Sequence, residues 1–248
     1  MLWSSVFSFC HRLLCFVGYG YAAYLTLTLC PSGVPLRDNV IHVTKYLTNI
    51  TLLLQILYYA LAIILPSKCG KFKSSMACLS LTASASVSVV FWALYFIDAS
   101  LVIREEYLKI YPRWHMHVTH SLMTISILFD IICSRLPRVP FIKTLFLVFG
   151  YFGGYAAYTE FLITKQNFYT YPILRNFDVR GRYYFYAVNL SVVLIVFLLS
   201  VMIIRVGSTE QKRKTKKDKT KNKKNQQPPK QTRAVPTVAK PSKSRKQD

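Results

Sequence analysis

Long apolar runs, interrupted by short polar ones, organise most of this chain. Six runs meet or approach the roughly 20 apolar residues that an α-helix needs to cross a bilayer. They cover residues 6–29, 46–66, 77–97, 115–133, 141–163 and 183–205. Each break has a physical cause. Pro31, Ser32, Gly33 and Pro35 end the first run, and Pro66 to Gly70 end the second. Asp98, Arg104, Glu105 and Glu106 end the third, and Arg135, Pro137, Arg138 and Pro140 the fourth. Tyr171, Pro172, Arg175 and Asp178 follow the fifth, and Arg205 closes the sixth. The pattern predicts an all-α fold, a polytopic transmembrane helix bundle of six spans. The first run is the weakest, because His11 and Arg12 sit near its start, and five spans is the alternative. It is too long for a signal-peptide core and no small-residue cleavage site follows it, so it reads as a retained helix.

Composition agrees with the pattern. The chain is 52% hydrophobic and only 17% charged, where a soluble domain carries about a quarter charged residues. The formal net charge of +22 is unevenly placed: residues 206–248 hold fifteen Lys/Arg against Glu210, Asp218 and Asp248. The chain therefore divides into a membrane domain, 1–205, and a basic C-terminal tail, 206–248. The tail has almost no large apolar residue and cannot offset its ordering entropy, so it is expected to be disordered. Beside a membrane its cations attract anionic lipid head groups, by about 1 kcal/mol each near the surface. Nucleic acid is the less favoured partner, because the tail has no aromatic residue on which bases stack. So cationic a tail is expected to stay in the cytoplasm, and six spans then place both termini there. The endoplasmic reticulum or the plasma membrane is the expected location. The six cysteines follow no metal or disulfide spacing and read as small apolar filler, with Cys69 and Cys78 as weak lipidation candidates. Asn49 and Asn189 fit the glycosylation pattern but fall inside predicted helices, so both are discounted.

Ionisable side chains inside a membrane are functional candidates by default, and the predicted topology gathers several. Thr48 lies one turn into the second run; His117 and His120 lie one to two turns into the fourth, entered from the same side. Asp98 ends the third run on that side, and Glu160 stands about a turn from the end of the fifth. At 1.5 Å per residue these groups share one layer of one leaflet. His117 and His120, three apart, are expected on one helical face, with His115 pointing elsewhere. An imidazole beside a hydroxyl can act as general base for nucleophilic attack. Each residue also has a structural reading. A membrane threonine commonly bonds its own preceding carbonyl, and a membrane histidine bonds across helices. Asp98 can cap a helix, and Glu160 can pair with an arginine. Trp92, Tyr95, Trp114 and Tyr171 read as interfacial anchors. A metal held by His115, His117 and His120 with Asp98 or Glu160 is disfavoured, because H-x-H-x-x-H does not set three imidazoles on one face; no cofactor is expected.

Lys45-Tyr46-Leu47-Thr48, Phe91-Trp92 with Tyr95 and Asp98, Trp114 followed by His117 and His120, and Tyr171-Pro172 stand in one order and spacing. In that order and spacing the chain, over residues 5–205, resembles the androgen-induced / androgen-dependent TFPI-regulating family of multi-span membrane proteins. The resemblance implies a hydrolase of fatty acid esters of hydroxy fatty acids, with a lipid substrate, an intramembrane threonine nucleophile and a histidine. Carried over by position, the nucleophile falls on Thr48 and the histidine on His120; His117 matches a further family histidine. His117, Asp98 and Glu160 are the supporting candidates. For the oxyanion donor, Arg113 is a guess. The alternative is a non-catalytic membrane protein that binds lipid or regulates a partner through its basic tail.

Overall fold

The apolar runs fold as helices, and the described residues contain no strand. The computed structural model describes residues 2–29, 36–103, 105–134 and 136–225, with side chains for 6–29, 38–66, 68–103, 107, 109–134 and 136–208. The Pro31–Pro35 break, Arg104, Arg135 and the tail beyond 225 lie outside the described residues, as do the side chains of Glu105, Glu106 and 209–225. The chain divides into two units, Met1–Gln211 and Lys212–Asp248, and the packing below belongs to the first.

In chain order the helices are α1 (Leu2–Thr28), α2 (Leu36–Val43), α3 (Leu47–Ile64), α4 (Gly70–Ile97) and α5 (Glu105–Ile110). There follow α6 (Arg113–His117), a π turn (Val118–Leu122) that runs into α7 (Met123–Cys133), then α8 (Phe141–Gln166) and α9 (Val179–Asn225). Five stretches are long and apolar enough to cross a membrane: Leu47–Ile64, Gly70–Ile97, Arg113–Cys133, Phe141–Gln166 and Val179–Ser208. The chain is an integral membrane protein of helical class. The first predicted span is also a helix, and the 27 residues of α1 reach about 40 Å. Its polar residues keep it from the apolar standard of the other five.

Those polar residues face the bundle. Arg12 Nε donates to Asp130 Oδ1 of α7 at 2.8 Å, and its other nitrogens donate to Ser134 Oγ and to the Ala62 carbonyl. Tyr58 of α3 donates to Asp130 Oδ2, and Ser134 Oγ to Oδ1. Asp130 has no exposed surface, and an unpaired charge there would be strongly destabilising. The pair therefore locks α1 to α3 and α7.

α4 lies at the centre of the bundle, against α3, α7 and α8. Its buried face is built from Ser74, Ala77, Ser80, Ala83 and Ser84, small residues that let helix backbones approach closely where no hydrophobic effect drives them together. Most of the hydroxyls are satisfied locally, while Ser80 Oγ and Ser86 Oγ are buried without a hydrogen-bond partner. Ser74, Thr82, Ser84 and Ser88 each donate to the carbonyl four residues back. Cys78 is fully buried on this helix, which removes it as a lipidation site. α8 stops at Asn167, which takes the left-handed conformation (φ 48°). Its N–H bonds the Ile163 carbonyl, and that of Phe168 reaches back to Leu162, an αL cap with asparagine in the position glycine usually fills. This cap turns the chain so that residues 168–178 fold back toward the start of α3.

Candidate functional site

The site begins where α3 begins. The first N–H groups of a helix have no partner within it, and here Leu47 N–H is met by two phenols, Tyr155 of α8 at 3.0 Å and Tyr171 at 3.2 Å. Tyr155 sends its own proton to the Lys45 carbonyl, 3.1 Å away. Asn49 Nδ2 donates to the Val43 carbonyl at the end of α2. Together these bonds fix Thr48 in the first turn.

Thr48 differs from most other threonines of the chain. Thr26, Thr28, Thr44, Thr82 and Thr164 each donate to the carbonyl four residues back. Thr48 Oγ1 instead lies 3.3 Å from His120 Nε2, across the bundle. His120 Nδ1 is 3.0 Å from the Met116 carbonyl. A carbonyl only accepts, so Nδ1 carries the proton of the neutral ring, and Nε2 presents its lone pair to the threonine hydroxyl. Phe91 of α4 stacks on the imidazole, with centroids 3.6 Å apart, and holds its plane. His120 is only 7% exposed.

The π turn decides which histidine reaches this place. His120 sits inside Val118–Leu122, and the wider turn resets the register of the helix. His115 and His120 are buried, while His117 is exposed and stacks on Trp92 at 5.6 Å. The expected pairing of His117 with His120 on one face therefore fails, because that expectation assumed an uninterrupted α-helix. His115 has a structural part: its Nε2 is 2.9 Å from Thr26 Oγ1 of α1, and its Nδ1 is 2.8 Å from the Tyr107 hydroxyl of α5.

The other candidates lie apart from the Thr48–His120 pair. Asp98 is exposed and caps the turn after α4 by accepting from Ser100 N–H at 2.9 Å; the Ser100 side chain and then its N–H hold the carboxyl below the usual range. Glu160 binds Arg182 of α9 at 2.7 Å and accepts from Tyr186. Arg113 is exposed and lines neither cavity described below. Among the described residues no group of three or more His, Cys, Asp or Glu could hold a metal.

Tyr171 is the residue sequence reasoning placed wrongly. It was expected as an interfacial anchor, but it stands inside, accepting from Leu47 N–H and interacting with the Thr48 side chain. Burial raises its pKa above the ordinary value of a phenol, so it keeps its proton. The accepted bond leaves that proton free for Thr48 or for an oxygen beside it. Tyr171-Pro172 was in view as a motif; the fold of the following loop is what gives it this position.

Two cavities meet at Thr48. One, of about 250 Å³, lies between α4, α8 and α9 and is walled by Val87, Val90, Phe152, Gly153, Ala156 and Leu190 among others. The other, of about 370 Å³, holds His120 with His42, Tyr46, Asn49, Tyr107 and Tyr111 in its wall. Thr48, Phe91, Val102 and Tyr171 border both.

A hydroxyl beside an imidazole nitrogen, enclosed in a bundle of apolar helices with a cavity on either side, marks a membrane protein with an internal site. The chain belongs to the FAR-17a/AIG1-like protein family, whose model matches residues 8–204. Comparison with curated proteins and with solved structures finds no significant match.

Proposed function

We propose that this protein is an intramembrane lipid-ester hydrolase acting through a Thr48 nucleophile and a His120 general base. Fatty acid esters of hydroxy fatty acids are the substrate class that the family resemblance implies. The observation that carries the reading is the Thr48 hydroxyl set on the free nitrogen of His120. The 3.3 Å separation is long for a hydrogen bond, as such bonds often are before substrate arrives.

The steps follow from this arrangement. His120 Nε2 takes the Thr48 proton as Oγ1 attacks the ester carbonyl carbon. The carbonyl oxygen gains negative charge and takes a hydrogen bond from Tyr171 O–H. When the intermediate collapses, the C–O bond to the alcohol breaks and Nε2–H protonates the departing oxygen. A water molecule then gives one proton to Nε2 and attacks the acyl carbon; as the bond from that carbon to Thr48 Oγ1 breaks, Nε2–H returns the proton to Oγ1, releasing the fatty acid and restoring the Thr48 hydroxyl and the neutral imidazole. Apolar walls hold the chains by close packing, since transfer from lipid tails to an apolar cavity gains little from the hydrophobic effect.

The test is labelling of purified protein with a fluorophosphonate probe, followed by lipid-ester assays. Labelling of wild type that is lost in Thr48→Ala and in His120→Ala is the expected result. Folded wild type that takes no label and cleaves no ester would overturn the reading.

A further inference from the structure

We propose that the two cavities divide the ester between them. The acyl chain transferred to Thr48 occupies the cavity between α4, α8 and α9, and the departing hydroxy fragment occupies the cavity that contains His120. The assignment rests on the hydrolase reading above and deepens it.

The argument concerns where a proton must go. After attack, the proton removed from Thr48 resides on His120 Nε2, and the departing oxygen must collect it there. His120 borders the 370 Å³ cavity and not the 250 Å³ one. The bond that breaks therefore points into the larger cavity. The carbonyl carbon stands at Thr48, at the junction, so the acyl chain on its other side extends into the smaller one. The same geometry orders the second half-reaction: once the hydroxy fragment leaves, its cavity is where water meets both His120 and the acyl carbon.

The linings agree with this division. The acyl side is walled mainly by apolar residues, among them Val90, Phe152 and Ala156, with Tyr155, Tyr186 and Asn189 also in its wall. Along α4 it runs from Ser86 to Leu94, about 12 Å at 1.5 Å per residue, the shape of a slot for a single chain. The side of the departing fragment carries Asn49, Tyr107 and His120; Asn49 Nδ2 and the Tyr107 hydroxyl are already bonded to Val43 and His115, so it is the greater polarity of this wall, and not a free donor, that suits a fragment bearing a new hydroxyl. Gly153 and Leu190 are exposed as well as cavity-lining, so the acyl slot also reaches the flank of the bundle. That opening lets a chain enter sideways from the membrane.

The experiment measures kcat/KM for esters in which the acyl and alcohol chains are lengthened independently. The proteins are wild type, Ala156→Phe and Val90→Phe on the acyl side, and Ile110→Phe on the other side. Each variant is first checked for cooperative thermal unfolding, and Ala156→Leu replaces any acyl-side variant that does not fold. The acyl-side variants are expected to lower the long-over-short acyl ratio by roughly 10- to 200-fold for each methylene the added ring excludes. Their alcohol-chain ratio is expected to stay as in wild type, and Ile110→Phe is expected to do the reverse. Acyl-side variants that shift only the alcohol ratio, or that shift neither, would overturn the assignment while leaving the hydrolase reading intact. A wild type that cleaves no ester of either series would remove both.

Discussion

Arg12 and Asp130 form one polar cluster inside the bundle; Thr48, His120 and Tyr171 form another. Along α3 they are separated by the span from Thr48 to Ala62, about 20 Å. At the Asp130 cluster every polar group closes on its neighbours: both carboxylate oxygens accept, and Arg12 spends its donors on Asp130, Ser134 and Ala62. At the Thr48 cluster the groups are aimed and not closed. His120 Nε2 meets a single threonine hydroxyl, Tyr171 accepts but keeps its proton, and two cavities reach the junction. An ionised group inside a membrane must be satisfied wherever it occurs. What separates structure from chemistry is whether the satisfied network leaves a donor or a lone pair facing open space.

The comparison breaks most sharply at Thr48. Thr48→Ala is expected to abolish ester turnover and covalent labelling, and His120→Ala to cost at least the 10²- to 10⁴-fold typical of a general base. Thr48→Ala is expected to unfold near the wild-type temperature, whereas His120→Ala empties a buried ring position stacked on Phe91 and is expected to lower it modestly, by far less than the loss of activity. A melting temperature that fell as far as activity did would assign this end a structural part and erase the contrast.

The opposite outcome belongs to the other end. Asp130→Ala leaves Arg12 unpaired and is expected to destabilise the bundle by about 3–5 kcal/mol, read as a lowered unfolding midpoint in detergent. Replacing the whole cluster with apolar residues, Arg12→Met with Asp130→Leu and Tyr58→Phe so that the Tyr58 hydroxyl is not left unpaired, is expected to recover most of that stability and to keep fluorophosphonate labelling. Stability restored without labelling would mean that the Asp130 cluster acts on the site as well as on the fold.

A smaller effect tests Tyr171. Tyr171→Phe keeps the ring and removes one O–H, and is expected to lower kcat by about 10²- to 10³-fold, as loss of a single oxyanion donor does, with little change in KM. A phenol whose pKa is raised stays protonated until the pH exceeds that raised value, so its donor persists throughout the neutral range. Equal changes in kcat and KM across ester series would indicate a packing role against Leu47 instead.

These contrasts were unequally legible in the sequence. The helices were readable because apolar runs of this length have one physical solution in a membrane. The shared depth of Thr48 and His120 was readable from the order of spans, but the same depth argument also gathered His117, Asp98 and Glu160, and the choice of this pair came from the family resemblance. The Arg12–Asp130 pair was within reach of the same argument. Arg12 lies near the start of the first run and Asp130 near the end of the fourth, which the topology puts on one side, yet only Arg12 drew notice, as a defect in its helix. Tyr171 was not readable, since its position depends on a loop that folds back after the Asn167 cap. The π turn was not readable either. An inserted residue leaves the apolar pattern of α6 and α7 nearly unchanged, yet it exchanges the histidine that faces the interior.

That exchange gives the smallest expected effect. By α-helical spacing His117 and His120 belong on one face, and substituting either should then disturb one site. With the π turn in place, His117 is exposed and stacks on Trp92 with ring centroids 5.6 Å apart, while Trp92 itself is held by its indole N–H on Ser121 Oγ at 2.9 Å. His117→Gln removes one face-on ring contact and no bond to Thr48, His120 or Tyr171. Exposed substitutions of this kind change stability by no more than about 0.5 kcal/mol, so ester turnover and labelling are expected within roughly two- to threefold of wild type. Should His117→Gln lose activity as steeply as His120→Ala, the two histidines would have to work together, and the register of this segment would be that of an unbroken α-helix.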